Sequence, residues 1–382
     1  MTERSGRDLL HRALAEYSSG ADFAEPVVTV RRRIKRRQAR TRVAAAVGAL
    51  AIVTGGAAAL GTVTPGSHTT ATLPTATPTK SRTAHPTGPR VLRVEFVKAQ
   101  RRVVVSRPWG SGPGAWGLLT GGDEADEGPS VLVTDGHGRL YLVDDLNNRL
   151  LAYSAATGRP LPDASATLPN GFYYGAAVDA VTGDVYVLNG MTSTLLRVSG
   201  GRVTAATPAH LDEGFPPPRY TASAGTVEAL TIQGDAPQPR RATLLSAGVP
   251  AKSPRLRPVR PSLSAPALEF TDFGQLAIRF GPRSAVQPDF DAPVREVGKA
   301  IVAAPGVVWL GVRTESVGRW HAWLARVTPD GVVAMPLLDS TTLPYENQNA
   351  TAAATAGKVF LLVGDASGGR IVEYVPGKPL RR

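Results

Sequence analysis

Residues 135–153 read Asp135-Gly136-His137-Gly138-Arg139-Leu140-Tyr141-Leu142-Val143-Asp144-Asp145-Leu146-Asn147-Asn148-Arg149-Leu150-Leu151-Ala152-Tyr153. A glycine turn opens onto a short apolar run that carries Tyr141 three residues after Gly138. A polar stretch of turn formers follows, Asp144 to Asn148, and a second apolar run ends on Tyr153 and leads into Gly158. Short runs rich in β-branched and aromatic residues, bounded by Gly, Asp and Asn, read as strands and turns.

Both halves of this phrase recur. The second half returns as Leu196 to Val198 into Gly200, Leu324 to Val327 into Gly331, and Ile371 to Tyr374 into Gly377, with starts 45, 128 and 47 residues apart. The first half returns as Gly183 with Tyr186, Gly306 with Trp309, and Gly357 with Phe360, each aromatic three residues after its glycine. The long interval leaves room for two degenerate copies, for which Ala242 to Leu245 and Leu276 to Phe280 are candidates. A repeat of about 40 to 50 residues built from several strands predicts an all-β fold, a β-propeller of about six blades. The turn glycines are expected to take positive φ and the aromatics to pack between neighbouring blades, as core rather than as ligand contacts.

Tyr141, Asp144, Asn147, Asn148, Arg149, Leu150 and Tyr153 give residues 135–153 a resemblance to a blade of the NHL- and YVTN-type repeat propellers. The second unit keeps Asp179, Gly183 and Tyr186 but has Asn189 in place of Asp144, and the last keeps Arg370 after a two-residue insertion. The resemblance implies a propeller fold, and six-bladed relatives that act as lactonases or similar hydrolases hold a metal with carboxylate and amide ligands at the channel mouth. On that reading Asp179, Asp272, Asp339 and Glu346 are available in different units, although no spacing rule links them. The other reading of Asp144, Asn148 and Arg149 is structural: Asp and Asn satisfy the backbone of tight connections, and Arg pairs with the Asp.

The N-terminal quarter has a different texture. Residues 1–42 carry 11 Lys or Arg against 5 Asp or Glu, half of the net charge of +12. The cations concentrate in Arg31, Arg32, Arg33, Lys35, Arg36, Arg37, Arg40 and Arg42, which abut an uncharged, proline-free run of 21 residues, 43–63. About 20 apolar residues cross a bilayer core, and flanking cations stay in the cytoplasm, so the pattern predicts a single-pass, uncleaved anchor with the C-terminal part outside the cell. Residues 64–90 are Thr-, Pro- and Ala-rich with almost no large apolar side chain. They read as a disordered tether of up to roughly 80 Å, and residues 91–382 as the extracytoplasmic propeller. Basic tail, Ala/Gly span and Thr/Pro tether together resemble the layout of actinobacterial signal-anchored proteins.

Several function classes fall away. Without cysteine there is no disulfide, thiolate zinc site or cysteine nucleophile. No His-Glu-x-x-His, Gly-x-Ser-x-Gly or phosphate-binding glycine loop occurs. The basic block has no interleaved aromatics, which argues against nucleic acid. His321 lies between Trp320 and Trp323, where a sugar or quinone contact and a half-buried strand position compete as readings. Residues 216–260 are rich in Pro and Arg and read as exposed connections with a weak affinity for anionic polymers. The expectation is an anchored binding or sensing module for a cell-envelope ligand or protein, with no cofactor and no catalytic residue or metal ligand assigned. An exported lactonase-, hydrolase- or quinoprotein-like enzyme is one alternative. The other is an anti-sigma-like protein that uses residues 1–30 on a cytoplasmic partner.

Overall fold

The structure, a computed structural model, describes residues 88–118, 128–209, 219–232, 238–252, 254–270, 275–298, 300–316, 318–338 and 352–380. The expected cytoplasmic tail, span and most of the tether lie outside these residues. Among the described residues no helix is long and apolar enough to cross a membrane.

Strand β1 (Arg90–Arg107) is followed by six successive groups of strands. The first blade comprises β2 (Val131–Thr134), β3 (Arg139–Asp144), β4 (Arg149–Ser154) and β5 (Ala166–Thr167). The second comprises β6 (Tyr173–Val178), β7 (Val185–Asn189), β8 (Thr194–Ser199) and β9 (Arg202–Pro208), and both are antiparallel meanders. The third has β10 (Arg219–Ser223), β11 (Thr226–Thr231) and β12 (Arg240–Ser246), with β13 (Val249–Pro250) and β14 (Arg257–Pro258) sharing the outer edge of β12. The fourth has β15 (Ala267–Phe270), β16 (Leu276–Gly281) and β17 (Ser284–Asp289). In the fifth, β18 (Val294–Val297) and β19 (Ile301–Ala304) together line β20 (Val307–Ser316), followed by β21 (Arg319–Val327) and β22 (Val332–Pro336). The sixth is β23 (Ala352–Ala354), β24 (Val359–Asp365) and β25 (Gly368–Pro379).

The second strand of a blade is buried on both sides, because it lies between two stacked neighbours. Leu140 and Leu142 of β3 therefore join the apolar cluster shared with blade six, while Tyr141 and Val143 join the cluster shared with blade two. The same alternation sends Tyr186 toward blade three, Trp309 toward blade six and Phe360 toward blade one. Each repeat aromatic thus fills the gap to the next blade in chain order. Clusters join one to two, two to three, three through four to five, five to six, and six back to one, so the ring is closed. Burying one large aromatic contributes on the order of 2–3 kcal/mol.

Three expectations need correction, the first being that residues 216–260 are exposed connections, since β10, β11 and β12 lie there with Tyr220, Val227 and Leu244 buried. Gly138, Gly183 and Gly306 have positive φ, but Gly357 does not. The sixth-blade turn closes instead through the Thr355 N–H donating to the Lys358 carbonyl at 2.9 Å, a geometry that any residue can supply. The repeat is also incomplete in blade four. β1 runs parallel to both β22 and β17, and β22 is the fourth strand of its blade, so β17 has a fourth strand's direction and β15 a second strand's. On the inner side of β15 the Leu268 N–H donates to the Ile232 carbonyl of blade three at 3.0 Å, while in the stretch before β15 the Leu263 carbonyl accepts the Gly306 N–H at 2.8 Å and Ala265 is buried.

β1 supplies the outer strand of three blades in turn. Arg90–Arg93 pair with β17 and Val94–Phe96 with β22, both parallel, and Val97–Arg107 pair antiparallel with β25. Its far half is stapled to blade one: Arg102 donates to Glu373 on β25 at 2.8 and 2.9 Å and to the Ala155 and Ala156 carbonyls at 2.8 and 2.6 Å.

Gly158 makes the junction between β1 and blade one sensitive to a single methyl group. Its φ is +69°, and a Cβ there would lie 1.9 Å from the Val104 carbonyl oxygen. Gly136 has a similar φ of +75° with nothing within 4 Å. Gly136→Ala is expected to cost only the left-handed penalty of about 1 kcal/mol. Gly158→Ala must in addition displace β1, for a total above about 2 kcal/mol. Urea unfolding of the two variants checks this, and equal midpoints would remove β1 as the closing element.

Candidate functional site

In a propeller built this way, turns between first and second strands lie on one face, here called lower, and connections between second and third strands on the opposite, upper face. Asp144 closes β3 at the upper face of blade one and is fully buried. One carboxylate oxygen accepts the Gly117 N–H at 3.1 Å. The other accepts Asn147 Nδ2 at 2.9 Å and Arg149 Nε and Nη2 at 3.0 and 2.8 Å. Arg149 also donates to the Gly112 and Ala115 carbonyls, and Asn147 to the Gly110 carbonyl. Asn148 adopts φ +51°, the left-handed turn position that Asn tolerates. The residues that carry the NHL resemblance thus clamp the segment 110–117, which leads from β1 into blade one.

The pattern extends beyond the residues singled out in the sequence. Asp365 pairs with Arg370 at 2.6 Å across the equivalent connection of blade six, with the same five-residue separation as Asp144 and Arg149. In blade two the Asn189 side-chain carbonyl accepts the Met191 and Thr192 N–H groups at 2.9 and 3.3 Å, which replaces the ion pair by an Asx turn. On the lower face, Asp135 accepts the His137 and Arg139 N–H groups at 2.8 and 2.9 Å.

Asp179, also on the lower face, accepts four backbone N–H groups, from Val181 at 2.9 Å, Thr182 at 3.3 Å, Ala224 at 3.0 Å and Gly225 at 2.7 Å. Burial pushes its carboxyl up, and the four donors outweigh that to hold it below the ordinary value. Its oxygens therefore join blades two and three rather than face the channel. Strand directions put it on the face opposite the strand ends that flank 271–274 and 339–351. Asp272, Asp339 and Glu346 fall in those stretches and lie outside the described residues. Among the described residues no group of three Asp, Glu or His side chains is placed to hold a metal ion.

Two further ionic groups hold buried carboxylates that the sequence does not mark. Asp184 pairs with Arg197 at 2.6 Å, and Glu373 with Lys358 at 2.6 Å as well as with Arg102. Burial pushes Glu373 up, and the bonds from Lys358 and Arg102 bring it below its ordinary value. A pairwise rule could have found neither set, since the partners lie 13, 15 and 271 residues apart.

Inside the ring is a cavity of about 90 Å³. Leu132, Ala176, Tyr220, Val302 and Ala352 from five innermost strands line it, and Ile232 of blade three fills in where blade four lacks such a strand. Arg219, Tyr174 and Thr221 add polar groups. Ligand pockets are usually about 300–1,000 Å³, so this space suits a few waters rather than an organic substrate. His321 is exposed on β21, its ring 6.1 Å from that of Trp323, which donates to Thr314 Oγ1 at 3.0 Å and packs on Phe96. Trp320 points to the other side of the hairpin, 57% exposed, with Arg313 5.8 Å from its ring centre.

No protein-family model and no curated protein matches the chain. Among solved structures, a streptogramin B lyase is similar at 13% identity and a TM-score of 0.35 over 73% of this chain and 98% of its own. A luciferin-regenerating enzyme is similar at 11% and 0.35, over 66% and 93%. An exported protein of Bacteroides fragilis is similar at 7% and 0.39, over 75% and 100%. These values add nothing to what the strand pairing establishes, and the propeller assignment rests on that pairing.

Two outcomes test the structural role of these carboxylates. Asp144→Ala leaves Arg149, a largely buried cation, without its counter-ion and should cost about 3–5 kcal/mol, whereas Asp144→Leu with Arg149→Leu should cost clearly less. Chemical denaturation measures both, and equal losses would refute the pairing. For Asp179 the depressed folded value means that its contribution is complete above the unfolded value of about 3.9 and is lost as pH falls through the lower folded value. The stability gap between wild type and Asp179→Asn should therefore narrow below about pH 4, read from acid-unfolding curves, and a constant gap would contradict it.

Proposed function

We propose that the chain is a membrane-anchored binding module whose propeller stands outside the cell and recognises a cell-envelope ligand or protein through its surface, without catalysing a reaction. Residues 1–42 are the inner tail, 43–63 the span and 64–89 the tether, Arg90 being the first residue of β1. The observation that favours binding over catalysis is the use made of four buried acids at the blade junctions and connections. Asp144, Asp179, Asp184 and Glu373 are each engaged by cations or backbone donors that hold the ring together, around a cavity too small for an organic substrate. A general acid or base needs a carboxyl that can reach a substrate proton, and these four are occupied elsewhere. Rigid scaffolds that present connections at their surface are suited to recognition.

Alkaline phosphatase and a fluorescent protein fused in turn to the C-terminus test the layout. Phosphatase activity without fluorescence is expected, and the reverse would overturn it. Sedimentation of the full-length chain with purified envelope fragments tests the binding. Failure to sediment, or turnover of a panel of lactones and esters, would defeat the reading.

A further inference from the structure

From Pro239 to Leu268 the sequence has six cations, Arg240, Arg241, Lys252, Arg255, Arg257 and Arg260, and no Asp, Glu or aromatic residue. The structure places them along the outer edge of blade three. β14 lies on β12 with Arg257 directly opposite Arg241 and Pro258 opposite Arg240. Two arginines face to face across a ladder repel each other. Among the described residues the carboxylate found with them is Glu228, 3.7 Å from Arg241, and Arg241 Nε is buried with no hydrogen-bond partner there. Arg240, Lys252, Arg255, Arg257 and Arg260 are exposed, and among the described residues none of them is in an ion pair.

The ribbon is also ordered for its charges. Leu256 packs inward on the cluster between blades two and three and Val259 on that of blades three to five, so Arg255, Arg257 and Arg260 are left on the outside. Pro250, Pro254, Pro258 and Pro261 restrict the backbone to extended conformations and remove N–H donors, which bars a further strand from pairing along this edge. Recognition must then go through side chains. Four of the five exposed cations are Arg, whose planar fork matches phosphate oxygens.

Resting on the binding reading above, we infer that the ribbon Pro254–Arg260 on the outer edge of blade three binds a linear, phosphate-bearing polymer. Cations in a single file on a stiff edge fit a chain of anions better than a bilayer, which calls for a broad face. The absence of aromatics disfavours single-stranded nucleic acid, whose bases need stacking partners.

The test compares three full-length chains in detergent: wild type, Arg255→Ser/Arg257→Ser/Arg260→Ser, and a control, Arg159→Ser/Arg202→Ser/Arg319→Ser, that removes equal charge from exposed sites on other blades. The basic tail is common to all, so differences report the ribbon. The probe is long-chain inorganic polyphosphate, titrated over a range of salt. The ribbon variant should bind about tenfold or more weakly at low salt, with a log–log salt slope shallower by about 2, while the control stays near wild type. Equal slopes, or an equal loss in the control, would overturn the inference. Orthophosphate competing as well as polymer at the same total phosphate, or discrimination on phosphatidylglycerol vesicles but not on polyphosphate, would overturn it too. If all three chains sediment with envelope fragments alike and bind polyphosphate alike, the ribbon is excluded and the binding reading stands; if none sediments, the reading itself falls.

Discussion

The ring depends on the pairing of β1 with the last three blades. A blade has apolar residues on both faces of its second strand, so the first and last blades of an open array would leave such faces in water. Closure covers them, and β1 makes it by running along β17, β22 and β25 in succession while Arg102 ties it to Glu373 and to the turn of blade one. Residues 90–107 therefore find partners among residues 286–379, at the other end of the propeller. The entropy of closing so large a loop grows only slowly with its length, but contacts this distant in sequence slow folding. Blades one to three can form their local ladders early, whereas blade six lacks an outer strand until β1 docks.

The parts of the fold legible in the sequence are those fixed by short-range chemistry. Tyr141, Tyr186, Trp309 and Phe360 stood out because a turn glycine and an aromatic on a doubly buried strand lie three residues apart, and every one of the four packs against the next blade. Leu276 to Phe280 was weaker as a sequence signal, yet it occupies the third-strand position that its spacing from Leu196 and Leu324 implied. Asp144 and Arg149 could be read as a pair because both are at the ends of one connection.

What could not be read depends on partners that the local sequence does not specify. Nothing in Arg90–Arg107 indicates that one strand will serve three blades, since its outward side chains are mostly charged and its partners are set by backbone edges far along the chain. The missing innermost strand of blade four is equally silent: Val259 and Ala265 are apolar enough for a strand, yet the Val259 N–H bonds to the Pro239 carbonyl and Ala265 closes a turn with Ser262. The junction made by Asp179 is not legible either, because its four donors are backbone N–H groups, which carry no sequence signature, two of them from the turn of the next blade.

The same division separates the charges that build the ring from those left over. Buried carboxylates such as Asp144 and Glu373 are retained at a desolvation cost that only tight pairing offsets, so their cations, Arg149, Arg102 and Lys358, are committed to the interior or to a junction. Exposed pairs such as Arg295 with Glu315 contribute little by comparison. Blade three departs from this arrangement. Its outer edge accumulates exposed arginines, Arg240, Arg255, Arg257 and Arg260, that no described carboxylate answers, the last three on a proline-stiffened ribbon whose apolar residues are turned inward. Mutual repulsion there works against the fold, and a polyanion laid along the edge would relieve it, so the strain and the proposed ligand are two sides of one electrostatic term.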